Sequence, residues 1–300
     1  MSTSTLPAVK KFWEAGIKLA YVTREEMTEI FLDTEAFYKS DEKLRQVIKN
    51  SIDGTKFYAA TDYPELPARR FDKTEISVVR QRTLEAAVSI RQKYSDLKIA
   101  VHNFASATNP GGGVTHGSRT QEEALCRCST LYPVLNTEKN WKRYYTINRK
   151  RGDSLHDDAC IYSPEIIVCK NDTDRPARLP RNRWDLVDVV TIAAPNLRER
   201  PNNLFNPGND KPAKISDEEL FALQEKRLRH MFAVVAHHGA EIFVTGAFGC
   251  GAFQNNPAVV AEAYKKILAE FDGCFKEVVF AIYCRPQETQ NFDAFKRILK

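Results

Sequence analysis

The stretch that decides the fold is residues 98–123, KIAVHNFASATNPGGGVTHGSRTQEE. It opens with an apolar run typical of a buried strand and ends where a helical pattern begins. Between them, Gly111, Gly112 and Gly113 remove every side chain, so backbone N–H groups can approach a ligand closely. The N-terminus of the next helix adds unpaired donors and partial positive charge. The stretch therefore predicts a site for a ligand with phosphates and ribose hydroxyls.

Strands and helices alternate outward from this stretch. The first seventy or so residues are predicted to be helical, and we expect a helical N-terminal extension over residues 1–72 and one α/β domain over residues 73–300. Alternation from residue 74 onward favours helices on both faces of a mostly parallel sheet. The predicted strands are 75–79, 98–104, 164–169, 185–194, 241–245 and 277–284, and the predicted helices are 83–94, 121–131, 216–238 and 257–271.

A second strand, loop and helix follow the same plan over residues 245–257, TGAFGCGAFQNNP. The loop matches neither of the common nucleotide-binding glycine patterns. Two interpretations stay open, a backbone wrap around phosphate with an aromatic wall, or a tight turn with two core phenylalanines. Cys250 is a candidate reactive thiol, because a helix N-terminus lowers the pKa of a thiol.

Glu122 and Glu123 stand in the first turn of the helix that follows the three glycines. A structural explanation is available, since Thr120 with Glu123 three residues later forms a capping box. A catalytic explanation rests on the glycine loop just upstream, which would place both carboxylates beside the ligand. Neighbours on a helix point about 100° apart. The pair is therefore not the two-carboxylate arrangement that flanks a bond in ordinary glycosidases.

The chain has 300 residues and a formal net charge of +5, a mild excess that suits an anionic ligand. It has no apolar run long enough to cross a membrane and no secretory signal at its start. Seven cysteines, an odd number, favour reduced thiols. We therefore expect a cytoplasmic protein, or a nuclear one if eukaryotic, and not a secreted one. The lone C-x-C of Cys126 and Cys128 does not predict a metal site.

Three glycines followed after seven residues by Gln121, Glu122 and Glu123 resemble the signature of the poly(ADP-ribose) glycohydrolases. The second loop is similar to the diphosphate-binding loop of those enzymes. The sequences of residues 103–110 and 193–196 are closest to those of the microbial-type branch. The resemblance covers roughly residues 74–285. It implies a three-layer α/β/α macrodomain with a mixed, mostly parallel sheet. It also implies a hydrolase that cleaves ribose–ribose O-glycosidic bonds and releases ADP-ribose.

The resemblance further implies roles for single residues. Glu123 would act as general acid and then general base, and Glu122 would orient the ribose hydroxyls. The implied substrate-binding residues are Asn103, Asn109, Gly111, Gly112, Gly113, Gln121, Gly249, Cys250, Gly251, Ala252 and Phe253. Residues 254–256 are Gln-Asn-Asn, whereas the family is expected to have smaller residues that include glycine after this loop.

We expect no metal or other cofactor, and we expect poly(ADP-ribose), ADP-ribose and ADP-ribosylated proteins as partners, without membrane or direct nucleic-acid binding. Two alternatives remain at this point. One is a reader module that binds ADP-ribose without hydrolysis. The other is a hydrolase of other ADP-ribosyl linkages, such as a single unit on protein or nucleic acid.

Overall fold

The computed structural model describes residues 22–203, 207 and 212–300. Within these residues seven strands form one sheet. They are β1 (Lys56–Tyr58), β2 (Glu75–Val79), β3 (Ile99–Phe104), β4 (Cys160–Val168), β5 (Asp185–Ile192), β6 (Ile242–Thr245) and β7 (Glu277–Ala281). Their order across the sheet is β1–β4–β5–β3–β6–β7–β2, which places β3 at the centre.

The sheet is mixed and mostly parallel, as predicted. β3 lies parallel to β5 on one side and to β6 on the other, and β7 lies parallel to both β6 and β2. Only the edge formed by β4 and β1 is antiparallel. Because the carboxyl ends of parallel strands meet at one edge, the chain segments that follow β3, β5, β6 and β7 converge there.

Helices cover both faces of this sheet. They are α1 (Arg24–Ser40), α2 (Glu42–Gly54), α3 (Thr83–Lys93), α4 (Gln121–Cys128), α5 (Leu131–Leu135), α6 (Glu138–Asn140), α7 (Thr146–Arg151), α8 (Asp217–His237), α9 (Pro257–Glu270) and α10 (Gln290–Ile298). A π-helical turn, Trp141–Tyr145, joins α6 to α7. None of the described helices combines the length and the apolar character that crossing a membrane requires.

Among the described residues, the two larger hydrophobic cores lie on opposite faces of the sheet, since adjacent residues of a strand point to opposite faces. Phe243 and Phe280 face the core that α8, α9 and α10 cover. Ile242 and Val279, their neighbours in the chain, face the core that α3, α4 and α5 cover. Burial on both sides explains why the inner strands have continuous apolar runs instead of alternating ones. The predicted three-layer α/β/α architecture is confirmed.

Several element boundaries differ from the sequence prediction. β4 begins at Cys160 and not at residue 164, because a bulge between Ser163 and Ile166 lets the strand continue through Pro164. The helix predicted over residues 121–131 ends at Cys128, where Ser129 turns extended. β7 and β5 end earlier than predicted. The prediction missed β1, α10 and the helical segments between residues 138 and 151.

The N-terminal region is not wholly helical. β1 extends the sheet at its antiparallel edge, while α1 packs against the end of α4, where the Thr34 hydroxyl donates to the Arg127 carbonyl at 2.7 Å. Lys170, which follows β4, donates to the Ile30 carbonyl at 2.8 Å and pairs with Asp33 at 2.8 Å. Residues 1–21 of the predicted extension lie outside the described residues. The domain boundary near residue 72 stays a prediction.

Candidate functional site

A cleft of about 450 Å³ opens at the carboxyl edge of the parallel strands. The glycine loop after β3 and the glycine loop after β6 both contribute to its walls, and the segments after β5 and β7 complete it. The topology therefore brings together two loops that stand more than a hundred residues apart in the chain. Here the first loop means residues 105–120 and the second loop means residues 246–256.

The N-terminus of α4 is fastened to the end of the central strand through Gln121. Its side-chain oxygen accepts from the Phe104 amide at 2.9 Å, and its side-chain nitrogen donates to the His102 carbonyl at 2.6 Å. The amide group of Gln121 thus continues the hydrogen-bonding pattern of the strand. This residue lines the cleft, but its amide group is occupied by these backbone partners and by the Thr83 hydroxyl, to which it donates at 3.0 Å. Its role in the structure is to fix where α4 begins.

Two of the three glycines donate hydrogen bonds to the two glutamates. The Gly111 amide donates to Glu122 Oε1 at 3.2 Å, and the Gly113 amide donates to Glu123 Oε1 at 2.9 Å. Gly112, between them, has a φ of +57°, and a Cβ built there would lie 2.4 Å from Glu123 Oε1 and 3.2 Å from Glu122 Oε2. Both carboxylates therefore contact the same turn, residues 111–113. The expectation that these amides point at a ligand is not met, because the protein's own acceptors occupy them.

Glu122 is buried, with 1% of its surface exposed. Its carboxyl group accepts from the Ser106 amide at 2.7 Å, from the Asn103 side chain at 3.2 Å and from Gly111. Burial, together with the negative charge of Glu123, raises the pKa of Glu122 to about 8 against the opposing effect of the N–H donors. Glu122 therefore holds its proton in the neutral range.

Glu123 closes the predicted capping box, which the structure confirms. Its second oxygen accepts from the Thr120 amide at 2.6 Å and from the Thr120 hydroxyl. The residue is 5% exposed and lines the cleft. Capping and exposure to the cleft are thus combined in one side chain, so the structural explanation does not exclude the catalytic one.

The second loop leaves its amides open. Among the described residues, no acceptor is found for the backbone N–H groups of Gly249, Gly251, Ala252 and Phe253. The Cys250 amide, by contrast, donates to the Ala247 carbonyl at 3.1 Å. Successive unpaired N–H groups in a turn form a concavity that suits an anion. The interpretation of this loop as a phosphate wrap is therefore favoured over that of a plain turn.

The Cys250 thiol does not have the environment expected of a nucleophile. Its Sγ contacts the Phe248 carbonyl at 3.6 Å, and burial raises the pKa of the thiol. The expected lowering by a helix N-terminus was wrong, since α9 begins only at Pro257. All seven cysteines are free thiols.

The structure divides the predicted site residues into two groups. Those that line the cleft are Gly112, Gly113, Gln121, Glu122, Glu123, Gly249, Gly251, Ala252 and Phe253. Asn103, Asn109, Gly111 and Cys250 are not part of this lining. Asn103 is fully buried and supports Glu122, while the Asn109 carbonyl accepts from the Gly112 amide at 3.0 Å.

Sequence reasoning missed several charged or aromatic residues that line the cleft, among them Arg82, Asp172, Arg198 and Tyr283. Arg82 lies with its guanidinium 4.0 Å from the ring centroid of Tyr283. Burial raises the pKa of Asp172 to about 6, against the opposing charge of Arg82. Each of these residues comes from a different segment and none belongs to a motif, so no sequence signal marked them. Within the part of the chain that the structure describes, no cluster of His, Cys, Asp or Glu has the arrangement of a metal site.

Comparisons with known proteins match this geometry. The model of the family described as microbial-type PARG, catalytic domain, matches residues 25–171. A search of curated proteins finds no match. Among solved structures, the chain is similar to poly(ADP-ribose) glycohydrolase (PARG) from Thermomonospora curvata, with 28% identity, coverage of 91% of this chain and 99% of that one, and a TM-score of 0.76. The same enzyme bound to the inhibitor ADP-HPD has 28% identity, the same coverage and a TM-score of 0.74.

Poly(ADP-ribose) glycohydrolase from Deinococcus radiodurans, in complex with ADP-ribose, is 33% identical to this chain. The match covers 84% of this chain and 96% of that one, with a TM-score of 0.70. Identity at this level over nearly the whole relative, together with the shared fold and the family model, identifies the family. The chain belongs to the microbial-type poly(ADP-ribose) glycohydrolases.

Proposed function

We infer that this chain is a poly(ADP-ribose) glycohydrolase, a hydrolase that cleaves the ribose–ribose O-glycosidic bonds of poly(ADP-ribose) and releases ADP-ribose. The observation that carries this function is that the two loops contribute different chemical groups to one cleft. The first loop holds two carboxylates at one turn, and the second loop presents open amides to the same cleft. An acid beside an anion-binding loop suits a ligand with a glycosidic bond near a diphosphate. The Thermomonospora and Deinococcus relatives, bound to ADP-HPD and to ADP-ribose, support this assignment.

We propose that Glu123 is the general acid and base. Its carboxyl group would protonate the leaving ribose oxygen and then take a proton from the attacking water, so that one residue serves both steps. Glu123 lines the cleft, and the missing side chain of Gly112 leaves the space that its carboxyl group occupies at this turn. Positive charge that develops on the ribose would be stabilised by the neighbouring diphosphate.

Glu122 is proposed as the residue that orients the ribose. A pKa of about 8 keeps it protonated near neutral pH, so its O–H can donate to a ribose hydroxyl. The three N–H donors around it fix the orientation of its carboxyl group. Asn103, behind it, is then a positioning residue and not a direct ligand contact.

The partners follow from the same proposal. They are poly(ADP-ribose), ADP-ribose and ADP-ribosylated proteins, with no direct nucleic-acid binding. The seven free thiols suit the reducing interior of a cell, and we propose a cytoplasmic location. That no metal takes part also stays a prediction.

The test is release of free ADP-ribose from poly(ADP-ribose) by the purified chain, with Glu123→Gln beside it. We expect the substitution to reduce the rate by about 10²- to 10⁴-fold, the usual contribution of general acid–base catalysis. Glu219→Gln is the matched control, because Glu219 closes the equivalent capping box at α8 and does not line the cleft. It should keep full activity.

Three other outcomes would redirect the assignment. Full activity of Glu123→Gln would remove Glu123 from the acid–base role. Binding of ADP-ribose without release from the polymer would favour the reader module or a hydrolase of another ADP-ribosyl linkage, which a panel of mono-ADP-ribosylated substrates distinguishes. No binding of ADP-ribose at all would overturn the function.

A further inference from the structure

The segment after β5, residues 193–203, lies against the second loop. The Leu197 amide donates to the Phe253 carbonyl at 3.0 Å, and the Asn255 side chain donates to the Pro195 carbonyl at 2.7 Å. Asn196 is fully buried, and its amide donates to the Ser154 carbonyl at 2.8 Å. The backbone around residue 198 is therefore held in place beside the loop that carries the open amides.

The guanidinium group of Arg198 is hydrogen-bonded through two of its three nitrogens. Its Nε donates to Asn196 Oδ1 at 3.1 Å, and its Nη2 donates to the Pro201 carbonyl at 2.9 Å. The guanidinium lies 5.6 Å from the ring centroid of Phe253. Its Nη1 has no acceptor among the described residues, although Arg198 lines the cleft. A fixed guanidinium thus keeps part of its donor set open.

In the described part of the chain, the positive charge of Arg198 is also not neutralised by an acidic side chain. Both of its hydrogen-bond partners are neutral oxygens, and in the described part of the chain it forms no ion pair. Arg82, at another part of the cleft wall, pairs with Asp174 and Asp172. Partial burial lowers the pKa of Arg198, which means that its positive charge is poorly solvated. An anion bound beside it would compensate for the lost solvation.

We propose that Arg198 supplies the fixed positive charge that binds the diphosphate of ADP-ribose, from a segment outside both glycine loops. The open amides of the second loop provide directed donors with partial charge, and the guanidinium adds a full charge and donors in a planar fork that matches phosphate oxygens. The inference rests on the proposed function, and it assigns to this chain a substrate-binding residue that neither glycine motif contains.

The experiment is calorimetric titration of the purified chain with ADP-ribose, ADP and adenosine, for the native protein and for Arg198→Gln. Loss of hydrogen bonds to a charged group weakens binding by about 10- to 100-fold, and we expect a loss of this size for ADP-ribose and ADP. Adenosine, which has no phosphate, should be unaffected. The gap between native and variant should narrow as salt rises from about 0.05 M to about 0.5 M, because screening weakens the charge.

Two control variants keep the test specific. Arg200→Gln removes an exposed arginine two residues away that does not line the cleft, and it should bind all three ligands like the native chain. Arg198→Lys keeps the charge without the planar fork and should recover part of the lost affinity. Equal melting temperatures of the variants would show that folding is intact.

The outcomes separate this inference from the function on which it rests. Hydrolysis of the polymer together with unchanged ADP-ribose affinity in Arg198→Gln would overturn the role of Arg198 and leave the function standing. Equal weakening of adenosine would overturn it as well, since the effect would then not concern phosphate. A native chain that binds no ADP-ribose would overturn both.

Discussion

Replacing Gly112 with alanine should separate the chemistry of the site from the stability of the fold. Gly112 has a φ of +57°, and an L-residue in this region costs about 1–2 kcal/mol. The new Cβ would also lie 2.4 Å from Glu123 Oε1, whereas ordinary contact begins at 3.4 Å. The carboxylate, which accepts from the Gly113 amide, therefore has to move by about 1 Å. A misplacement of about 1 Å in a catalytic group costs about 10²-fold in rate.

We expect Gly112→Ala to melt about 2–8 °C lower than the native chain and to hydrolyse poly(ADP-ribose) about 10²-fold more slowly. Gly239→Ala is the matched control. Gly239 also has a positive φ, +75°, but a Cβ there meets nothing within 4 Å. It should therefore lose similar stability and keep full activity.

The assay combines thermal melting with initial rates of ADP-ribose release at a temperature where both variants are folded. Native-like rates in Gly112→Ala would refute the reasoning, because the collision with Glu123 would then have no catalytic consequence. An equal loss of activity in Gly239→Ala would refute it too, since backbone strain alone would then explain the effect.

Two further predictions concern single ionisable groups. Glu122 keeps its proton to a pH of about 8 in the folded chain, against an ordinary value of 4.5, so the folded state binds the extra proton between these values. The contribution of Glu122 to the free energy of unfolding therefore falls as pH rises through this range. Urea unfolding at about pH 5 and about pH 8 should show the stability of Glu122→Gln improving relative to the native chain at the higher pH, and a pH-independent difference would contradict this. Because burial raises the pKa of the Cys250 thiol, iodoacetamide at neutral pH should leave Cys250 unmodified in the native chain and modify it after unfolding. Peptide mass spectrometry measures this, and rapid labelling of native Cys250 would contradict it.

Local sequence was informative wherever a short stretch decides its own structure. The capping box at Thr120 and Glu123 was predicted because its partners stand three residues apart, and both the donors and the acceptor belong to one helical turn. Strands such as β3 were predicted from their apolar runs. β1 was missed, since three residues at a sheet edge carry little periodic signal. α10 was missed although its buried residues Phe292, Phe295 and Ile298 do repeat at helical spacing.

The same limit explains the errors in the site. Sequence reasoning placed the amides of Gly111 and Gly113 toward a ligand, because a glycine loop before a helix usually leaves its donors open. In the structure the loop folds back over α4, and the nearest acceptors are the carboxylates of Glu122 and Glu123. Which acceptor an amide finds depends on how the loop packs, and spacing along the chain does not contain that information.

By itself, then, the sequence determined the α/β layer plan, the two glycine loops and the position of the glutamate pair at a helix start. Each of these follows from residue patterns within short stretches of the chain. Only the tertiary structure decided that the amides of the second loop stay open, that Asn103 supports Glu122 from behind, and that Arg198 lies at the cleft beside Phe253. Those facts arise where the ends of β3, β5 and β6 meet, and the sheet order that joins these strands follows from burial of the whole core.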